Sequence, residues 1–570
     1  MIQFNLPKEI IHIKEADPEI VRSLSKELGV SEAVGKTLVC RNLKTYEECK
    51  KFFRPQFSHF HDPFLFRDME RIVHRIISAI DSRQKIVIYG DYDVDGITAT
   101  VLLVSFLRKM GAVCDYYLPN RLTDGYGISK QGISDIKKRN GSIIITVDCG
   151  ITALDEIRYA SNRGIDVIVT DHHETIEELP DAVGILDPKI EDSNYPERNL
   201  AGVGVALKLC HSLAMAKNYD DSFWLDYLDI TAFGTIADIV PLVGENRTIV
   251  KLGLERLTHT KNLGLQKLIN YQNLTGKTLS TGDVGFILAP CINAAGRLGK
   301  SNHGVKLLLA DNETEASKYA KGLVLMNKKR RSLDKYVYDS TIKWIYHNVD
   351  LKNDYVIVAG DPSWHVGVIG ITASKIVEQF FRPTFLFSHG DNGYAKGSGR
   401  GVNGLHLLDA LKECSGYLES YGGHETAAGA TIKIENITKF REHFNSVVKS
   451  LISIDKLVPH IFVDAEIDVE QLTPKLYRII KQMEPFGSQN ARPVLLCHGL
   501  NNYSKPRIVG KKHLKMRISK DGQVIEAIAF NFGDRIQDIV NSNNFSLAFS
   551  LDENTWNGRK NLQLKVKGMM

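Results

Sequence analysis

From about residue 71 onward, short apolar runs rich in β-branched residues alternate with longer apolar stretches. KIVIY (85–89), SIIITV (142–147) and DVIVT (166–170) have the length and branching of buried strands. ITATVLLVSFLRKM (97–110), stopped by Gly111, and AGVGVALKLCHSLAMA (201–216) are long enough for buried helices. Strands alternating with helices predict an α/β domain built on a doubly wound parallel sheet over residues 71–250. Residues 251–350 read as a helical connector, in which TEASKYAKGLVLMNKKRRSLDKYVYDSTIKWIYHNV forms one long helix with a basic turn at Lys328, Lys329, Arg330 and Arg331. A smaller α/β domain follows over 351–452, with YVIVAG as a strand, VGVIGITASKIVEQF as a helix and PTFLF as a strand. The final part, 453–570, alternates with period two in LAFSLDE and LQLKVKG about an Asn557–Gly558 turn, the pattern of a hairpin in a small OB-like β-barrel. Residues 1–70 precede all of this as an extension whose aromatic segment FFRPQFSHFHDPFLF is expected to pack on the next domain.

Composition narrows the class without choosing a function. Hydrophobic residues are 43% and charged residues 24% of 570, the balance of an ordinary globular chain too long for one core. The formal charge of +5 is too small to argue for nucleic acid, so local clusters must carry that case. The eight cysteines are scattered without a CxxC pair, which fits neither a zinc ribbon nor a disulfide framework and suits a reducing cytoplasm. The first twenty residues carry acids and a proline where a signal peptide needs an apolar run, and no stretch is long and apolar enough to span a membrane.

The acids fall where chemistry is done in such a sheet. GDYDVDG, with Asp91, Asp93 and Asp95, follows KIVIY; Asp148 follows SIIITV; Asp171, His172 and His173 follow DVIVT. Ligands bind at the carboxyl ends of parallel strands, so three strands would aim five aspartates and two histidines into one crevice. Carboxylates crowded in this way repel one another unless divalent cations neutralise them. Asp and His donors without thiolate suit Mn²⁺ or Mg²⁺. Gly96 is expected to permit a tight turn out of the strand. A lone DxD is more often a turn or cap acid, and Asp238, in FGTIADIVPL, would alone read as a helix-terminal acid. Three clusters, each directly behind a strand, are hard to explain as caps alone.

DYDVDG, VDCG, TDHHE and GTIADIVPL resemble the successive motifs of the DHH phosphoesterases. The resemblance implies that Asp93, Asp95, Asp148, His172 and Asp238 hold two divalent cations with Asp148 bridging, and that Asp91 and His173 act beside them in catalysis. Tyr89 stands where many members have a histidine, which fits the nuclease branch better than the pyrophosphatase branch. KGSGRG (396–401) and GGHETAAGA (422–430) resemble the DHHA1 domain that accompanies DHH, with glycines that let backbone N–H groups approach an anion or merely make tight turns. Trp364–His365 in DPSWHVGVIG is a further match, and His365 either faces the active site or is a satisfied polar residue near a helix end. AAGRLG and MEPFGSQNARPVL match the RecJ-type members. By that resemblance Arg297, Ser398 and Arg400, with Gly422, Gly423, His424 and Arg121, bind substrate and its terminal 5′ phosphate.

KPRIVGKKHLKMR (505–517) carries six Lys or Arg and no acid beside Tyr503. Lys511, Lys512, Lys515, Arg517 and Trp556 are therefore candidate nucleic-acid contacts, although a basic strand face in solvent has the same composition. The expectation is a two-metal, single-stranded-DNA-specific 5′→3′ exonuclease of DNA repair and recombination. Single-stranded DNA is its expected partner, a helicase and a single-strand-binding protein are candidate protein partners, and a cytoplasmic monomer is the expected state. The rivals are a DHH–DHHA1 phosphodiesterase of short oligonucleotides or cyclic dinucleotides and a non-catalytic replication scaffold. Retention of every acid speaks against the scaffold.

Overall fold

The computed structural model describes residues 8–119, 127–175, 177–510, 512–540, 542, 544–556 and 559–570, leaving out the side chains of 555, 556 and 559. Two compact units result: one of residues 16–327 and 475–492, the other of the remaining N-terminal segment, 328–474 and 493–570. The predicted long helix is present as Glu313–Asn348.

The first unit holds a five-stranded, all-parallel sheet in the spatial order Cys114–Tyr117, Ile86–Gly90, Ile143–Val147, Asp166–Thr170, Gly184–Leu186. The first and last of these strands have no counterpart among the predicted runs. Alternate residues enter two separate cores, as a sheet buried on both faces requires. Ile86, Ile88, Ile143, Ile145, Ile168 and Leu186 pack under the helices Met69–Asp81, Val94–Lys109 and Gly202–Ala216. Val87, Ile144, Val167, Val169 and Ile185 pack under Lys130–Lys138 and Leu154–Ser161. Each such side chain stabilises the fold by about 1.5–3 kcal/mol. The strand order reverses beside Ile86–Gly90, and the switch point between it and Ile143–Val147 opens at their carboxyl ends.

Polar groups anchor the flanks of this unit. Lys208 and Glu245 form a fully buried ion pair at 2.7 Å. Tyr195 donates to the same carboxylate, and Lys208 also donates to the His61 carbonyl. His61 ties the aromatic segment to the helices Gly202–Ala216 and Gly244–Thr258. Arg247 lies over the Phe52 ring and donates to the Phe52, Glu484 and Pro485 carbonyls, which fastens segment 475–492 to this unit.

In the second unit a mixed sheet runs Leu418–Gly423, Ala427–Lys433, Tyr394–Arg400, Thr384–His389, Ile357–Asp361, with the helix Val366–Phe380 against Thr384–His389 and Tyr394–Arg400. KGSGRG is therefore neither an anion-binding loop nor a tight turn. It lies in the strand Tyr394–Arg400, where Gly397 and Gly399 sit opposite Phe387 and Phe385 and leave room for those rings. The opposite face of the strand carries Ser398 and Arg400 toward Gly370 of the helix. The C-terminal strands Leu495–Val509, His513–Lys520, Gln523–Ala529, Arg559–Met569 and Phe545–Trp556 close on one another into a barrel. Its last two strands are the predicted hairpin; the Asn557–Gly558 turn lies outside the described residues. One unpredicted strand, Ile10–Ile13, pairs with His460–Val463. Among the described residues no helix is long and apolar enough to cross a membrane.

A methyl group at Gly399 would overlap the Phe385 ring. Gly399→Ala is expected to destabilise the chain by about 1–3 kcal/mol, read as a lower urea midpoint. An unchanged midpoint would show that the rings, not the glycines, adapt.

Candidate metal centre

The carboxylates converge because each is held by backbone donors at the end of an element. Asp93 N-caps the helix Val94–Lys109, accepting from the Asp95 and Gly96 N–H groups at 2.9 and 3.1 Å. The helix starts three residues ahead of the apolar run for this reason. Gly96 serves close approach rather than a turn: it lies inside the helix, where a Cβ would come within 2.8 Å of the Asp91 backbone. Asp95 turns to a second helix N-terminus and accepts from Gly202 and Val203 N–H at 2.6 and 2.9 Å. Asp148 ends its strand in the left-handed region, φ 59°. Gly202 packs against it so closely that a Cβ there would stand 2.9 Å from the Asp148 Cβ.

His172 Nε2 lies 3.0 Å from Asp148, 3.7 Å from Asp238 and 3.8 Å from Asp95. Three groups of donor atoms, each within 4.8 Å of one another, result: Asp91–Asp93–Asp148, Asp95–His172–Asp238 and Asp148–His172–His173. Asp148 belongs to two of them. Asp238 is the last residue of the helix Leu228–Asp238, at the end where the helix dipole disfavours an anion. Ile239 then closes that helix at φ 65°, a conformation that costs a β-branched residue about 1–2 kcal/mol.

The electrostatics are those of crowded, buried carboxylates. Burial and the neighbouring Asp238 and Asp93 raise the Asp95 carboxyl well above its usual range. Burial with Asp93 and Asp95 does the same to Asp148. Asp238 is pushed up to about 6 by burial and Asp93. His172 is pushed down to about 3 by burial and by the neighbouring His173, which leaves it neutral and able to ligate. Asp171 departs from the expectation that five aspartates line one crevice. Its carboxylate accepts from the Ile151, His172 and His173 N–H groups and, at 2.7 Å, from His173 Nδ1. Burial opposes the charge on His173, but this hydrogen bond and the nearby acids raise it to about 9.

One strand-end acid escaped the sequence reading. Asp187, fully buried behind Gly184–Leu186, is raised to about 7 by burial. Its signal was the same apolar run followed by an acid, in GILDP. Tyr89 turns the other way: its hydroxyl accepts the Ser129 N–H and its ring packs against Gly132. Arg297 ends the helix Ala289–Arg297, and the preceding Gly296 packs on the Tyr92 backbone, where a Cβ would lie 2.8 Å from the carbonyl oxygen. That contact sets Arg297 next to the Asp91–Asp93 loop.

In the second unit Arg400 donates to Ser398 Oγ at 3.0 Å and to the Gly399 carbonyl. Gly422 and Gly423 end a strand; His424 is exposed and its N–H donates to Ala427. His365 N-caps the helix Val366–Phe380, accepting from Gly367 N–H, while Trp364 is buried. On the barrel, Lys515 pairs with Glu526 at 3.0 Å, and Lys512 is exposed. Arg517 lies over the ring of Tyr503, itself 56% exposed. Arg121 and Lys511 lie outside the described residues, as does the Trp556 side chain.

Comparison with known proteins agrees with the fold. The family model for the DHH family N-terminal domain matches residues 85–235, that for the DHHA1 domain 353–450, and that for the RecJ OB domain 463–568. Sheet, switch-point cluster and companion domain define a phosphoesterase of the DHH–DHHA1 class. The single-stranded-DNA-specific exonuclease RecJ of Bacillus subtilis (strain 168) is 37% identical over 97% of this chain and 70% of its own length. That of Escherichia coli (strain K12) is 33% identical over 87% of this chain and 89% of its own. The crystal structure of Thermus thermophilus RecJ in complex with Mn²⁺ superposes with a TM-score of 0.84 at 27% identity, covering 98% of this chain and 79% of that one. The chain belongs to the RecJ family.

Asp238 titrates near 6 in the folded chain and near 4 when unfolded. The folded state then binds more protons between about pH 4 and 6, so this group favours folding at low pH and loses that contribution as pH rises through about 6. Asp95 and Asp148 shift the same way. A divalent cation replaces those protons. The rise in melting temperature produced by Mn²⁺ is therefore expected to be small at pH 5 and to grow toward pH 7.5. Equal stabilisation at both would show that these carboxylates are not where the ion binds.

Proposed function

We propose that the chain is a two-cation exonuclease that hydrolyses single-stranded DNA from its 5′ end and releases 5′-mononucleotides. The observation that carries this reading is the sharing of Asp148 between donor groups that also contain Asp91 and Asp93 on one side and His172 on the other. Carboxylate and imidazole donors without thiolate fit Mn²⁺ or Mg²⁺, the ions bound in the Thermus thermophilus RecJ crystals. Two such ions would activate a water and stabilise charge on the attacking and leaving oxygens at phosphorus. Asp93, Asp95, Asp148, His172 and Asp238 are assigned as ligands, with Asp91 completing the group around Asp93.

The chain's own residues supply orientation and a proton. Asp171 holds His173 through Nδ1, which leaves Nε2 for the scissile phosphate or the departing 3′ oxygen. A charged His173 donates there. Arg297 is assigned to the terminal 5′ phosphate because Gly296 sets it beside the ligand loop. Ser398 and Arg400 share that role as a preformed side-chain pair. Arg517 and Tyr503 on the barrel offer a cation and an exposed ring, the combination on which single strands stack. A basic barrel of this kind favours long strands over the short oligonucleotides or cyclic dinucleotides of the rival reading. Work in DNA repair and recombination, as a cytoplasmic monomer supplied with strand by a helicase or a single-strand-binding protein, would follow from the activity. The eight free cysteines suit that compartment.

Single-stranded DNA labelled at either end is the test. Wild type with Mn²⁺ is expected to release label as mononucleotide from the 5′ end first, and Asp148→Ala or EDTA to abolish release. Hydrolysis of dinucleotides alone would move the chain to the rival reading. Separately, Arg400→Ala is expected to lose about tenfold in preference for 5′-phosphorylated over 5′-hydroxyl ends, by about 1.5 kcal/mol for a charge-assisted hydrogen bond. Unchanged discrimination removes Arg400 from the phosphate site.

A further inference from the structure

A cavity of about 230 Å³ in the first unit is lined by Leu118, Pro119, Lys300, Ser301 and His303, and by none of the acids or histidines of the metal centre. Leu118 follows the strand Cys114–Tyr117, which runs parallel beside Ile86–Gly90. A Cβ on Gly90 would stand 3.0 Å from Leu118 Cδ2. The cavity therefore lies at the carboxyl edge of the sheet, one strand away from the loop that carries Asp91 and Asp93.

Positive charge gathers around it. His303 meets the Tyr319 ring edge-on at 5.6 Å, and the ammonium groups of Lys306 and Lys318 lie 6.0 and 5.6 Å from the centre of the same ring. His303 Nδ1 donates to the Lys300 carbonyl at 3.2 Å. Burial holds the His303 imidazole below its usual range, and the charges of Lys300, Lys306 and Lys318 push the same way. Among the described residues none of these three lysines forms an ion pair with a carboxylate. Like charges gathered without an acid repel one another, and a bound anion relieves that repulsion. A solvated helix face also collects lysines. A cavity that joins a cation and an imidazole to the apolar surface of Leu118 and Pro119 distinguishes this cluster from such a face.

We propose that this cavity binds a phosphomonoester, with Lys300 and His303 on the phosphate and Leu118 and Pro119 against the attached nucleoside. Lys306 and Lys318 strengthen the field without lining the cavity. The class follows from charge: a phosphomonoester carries about −1.5 to −2 at neutral pH, more than a phosphodiester inside a strand. The choice of ligand rests on the exonuclease reading, under which two such groups occur, the 5′ end of the strand and the released 5′-mononucleotide.

The experiment measures binding of 5′-dAMP to the full chain by calorimetry after removal of divalent cations, so that the carboxylate cluster repels the probe. Wild type is expected to bind 5′-dAMP and not deoxyadenosine. Lys300→Ala is expected to weaken binding about tenfold, the order of one charge-assisted hydrogen bond, and Lys300→Ala/Lys306→Ala further; Lys300→Arg should retain it. Single strands with a 5′ phosphate or a 5′ hydroxyl then compete with the probe. Displacement by the phosphorylated strand alone assigns the cavity to the strand end, and displacement by neither assigns it to the released mononucleotide. Displacement by both would overturn the preference for a phosphomonoester. No binding of 5′-dAMP, or binding that the lysine variants leave unchanged and Arg297→Ala removes, would overturn the site. Binding is read without turnover, so a wild type that binds 5′-dAMP through Lys300 yet degrades no single strand would refute the exonuclease reading and leave the site standing.

Discussion

Mutual repulsion among buried carboxylates is the constraint around which the first unit is arranged. Asp95 and Asp148 are almost fully buried, and Asp91, Asp93 and Asp238 stand close by. In a low-dielectric site such charges raise one another's pKa and oppose folding. Neither acid is left to find its own geometry. The N–H groups of two helix N-termini hold Asp93 and Asp95, and a left-handed backbone aims Asp148. Backbone donors thus set the geometry of the cluster, and a bound cation would relieve the repulsion among its charges.

Helix ends are used twice over, with opposite sign. The N-terminus of Gly202–Ala216 stabilises the Asp95 carboxylate, whereas Asp238 sits at a C-terminus that disfavours it. The first fixes one carboxylate; the second leaves another at a helix end that opposes its charge. Asp171 divides the imidazoles in the same spirit. It binds the backbone of both histidines but only the ring of His173, which carries charge at the cluster's edge, while burial and that neighbouring charge keep His172 neutral.

Glycine has a different duty at each motif where it clusters. Gly96 and Gly202 allow backbone to approach Asp91 and Asp148. Gly296 lets a helix end settle on Tyr92, and Gly370 leaves space for Ser398 and Arg400. Gly397 and Gly399 make room for phenylalanine rings on the far face of their strand. The same residue pattern thus serves site geometry in some places and core packing in others, and only the facing element distinguishes them.

The class of fold and most of the cluster were legible along the chain, because both are local. Three strands and their trailing acids are read from short apolar runs, and the helices Gly202–Ala216 and Val366–Phe380 from length and composition. The DHH-type motifs and the second domain's glycine pairs were legible for the same reason. What lay beyond it depends on which element faces which. The strands Cys114–Tyr117 and Gly184–Leu186 are short and weakly patterned, so the switch point and Asp187 emerged only with the sheet order. Asp171 has the same sequence signature as Asp148, yet its carboxylate is taken up by the Ile151 N–H and the ring of His173. KGSGRG became a strand because two phenylalanines on its neighbour need the space its glycines leave. Ile239 is one more apolar residue in a hydrophobic run until the backbone turns left-handed behind Asp238 and leaves it in solvent. Propensity and periodicity act along the chain, whereas repulsion, close approach and exposure act across it, and those last three shaped the site.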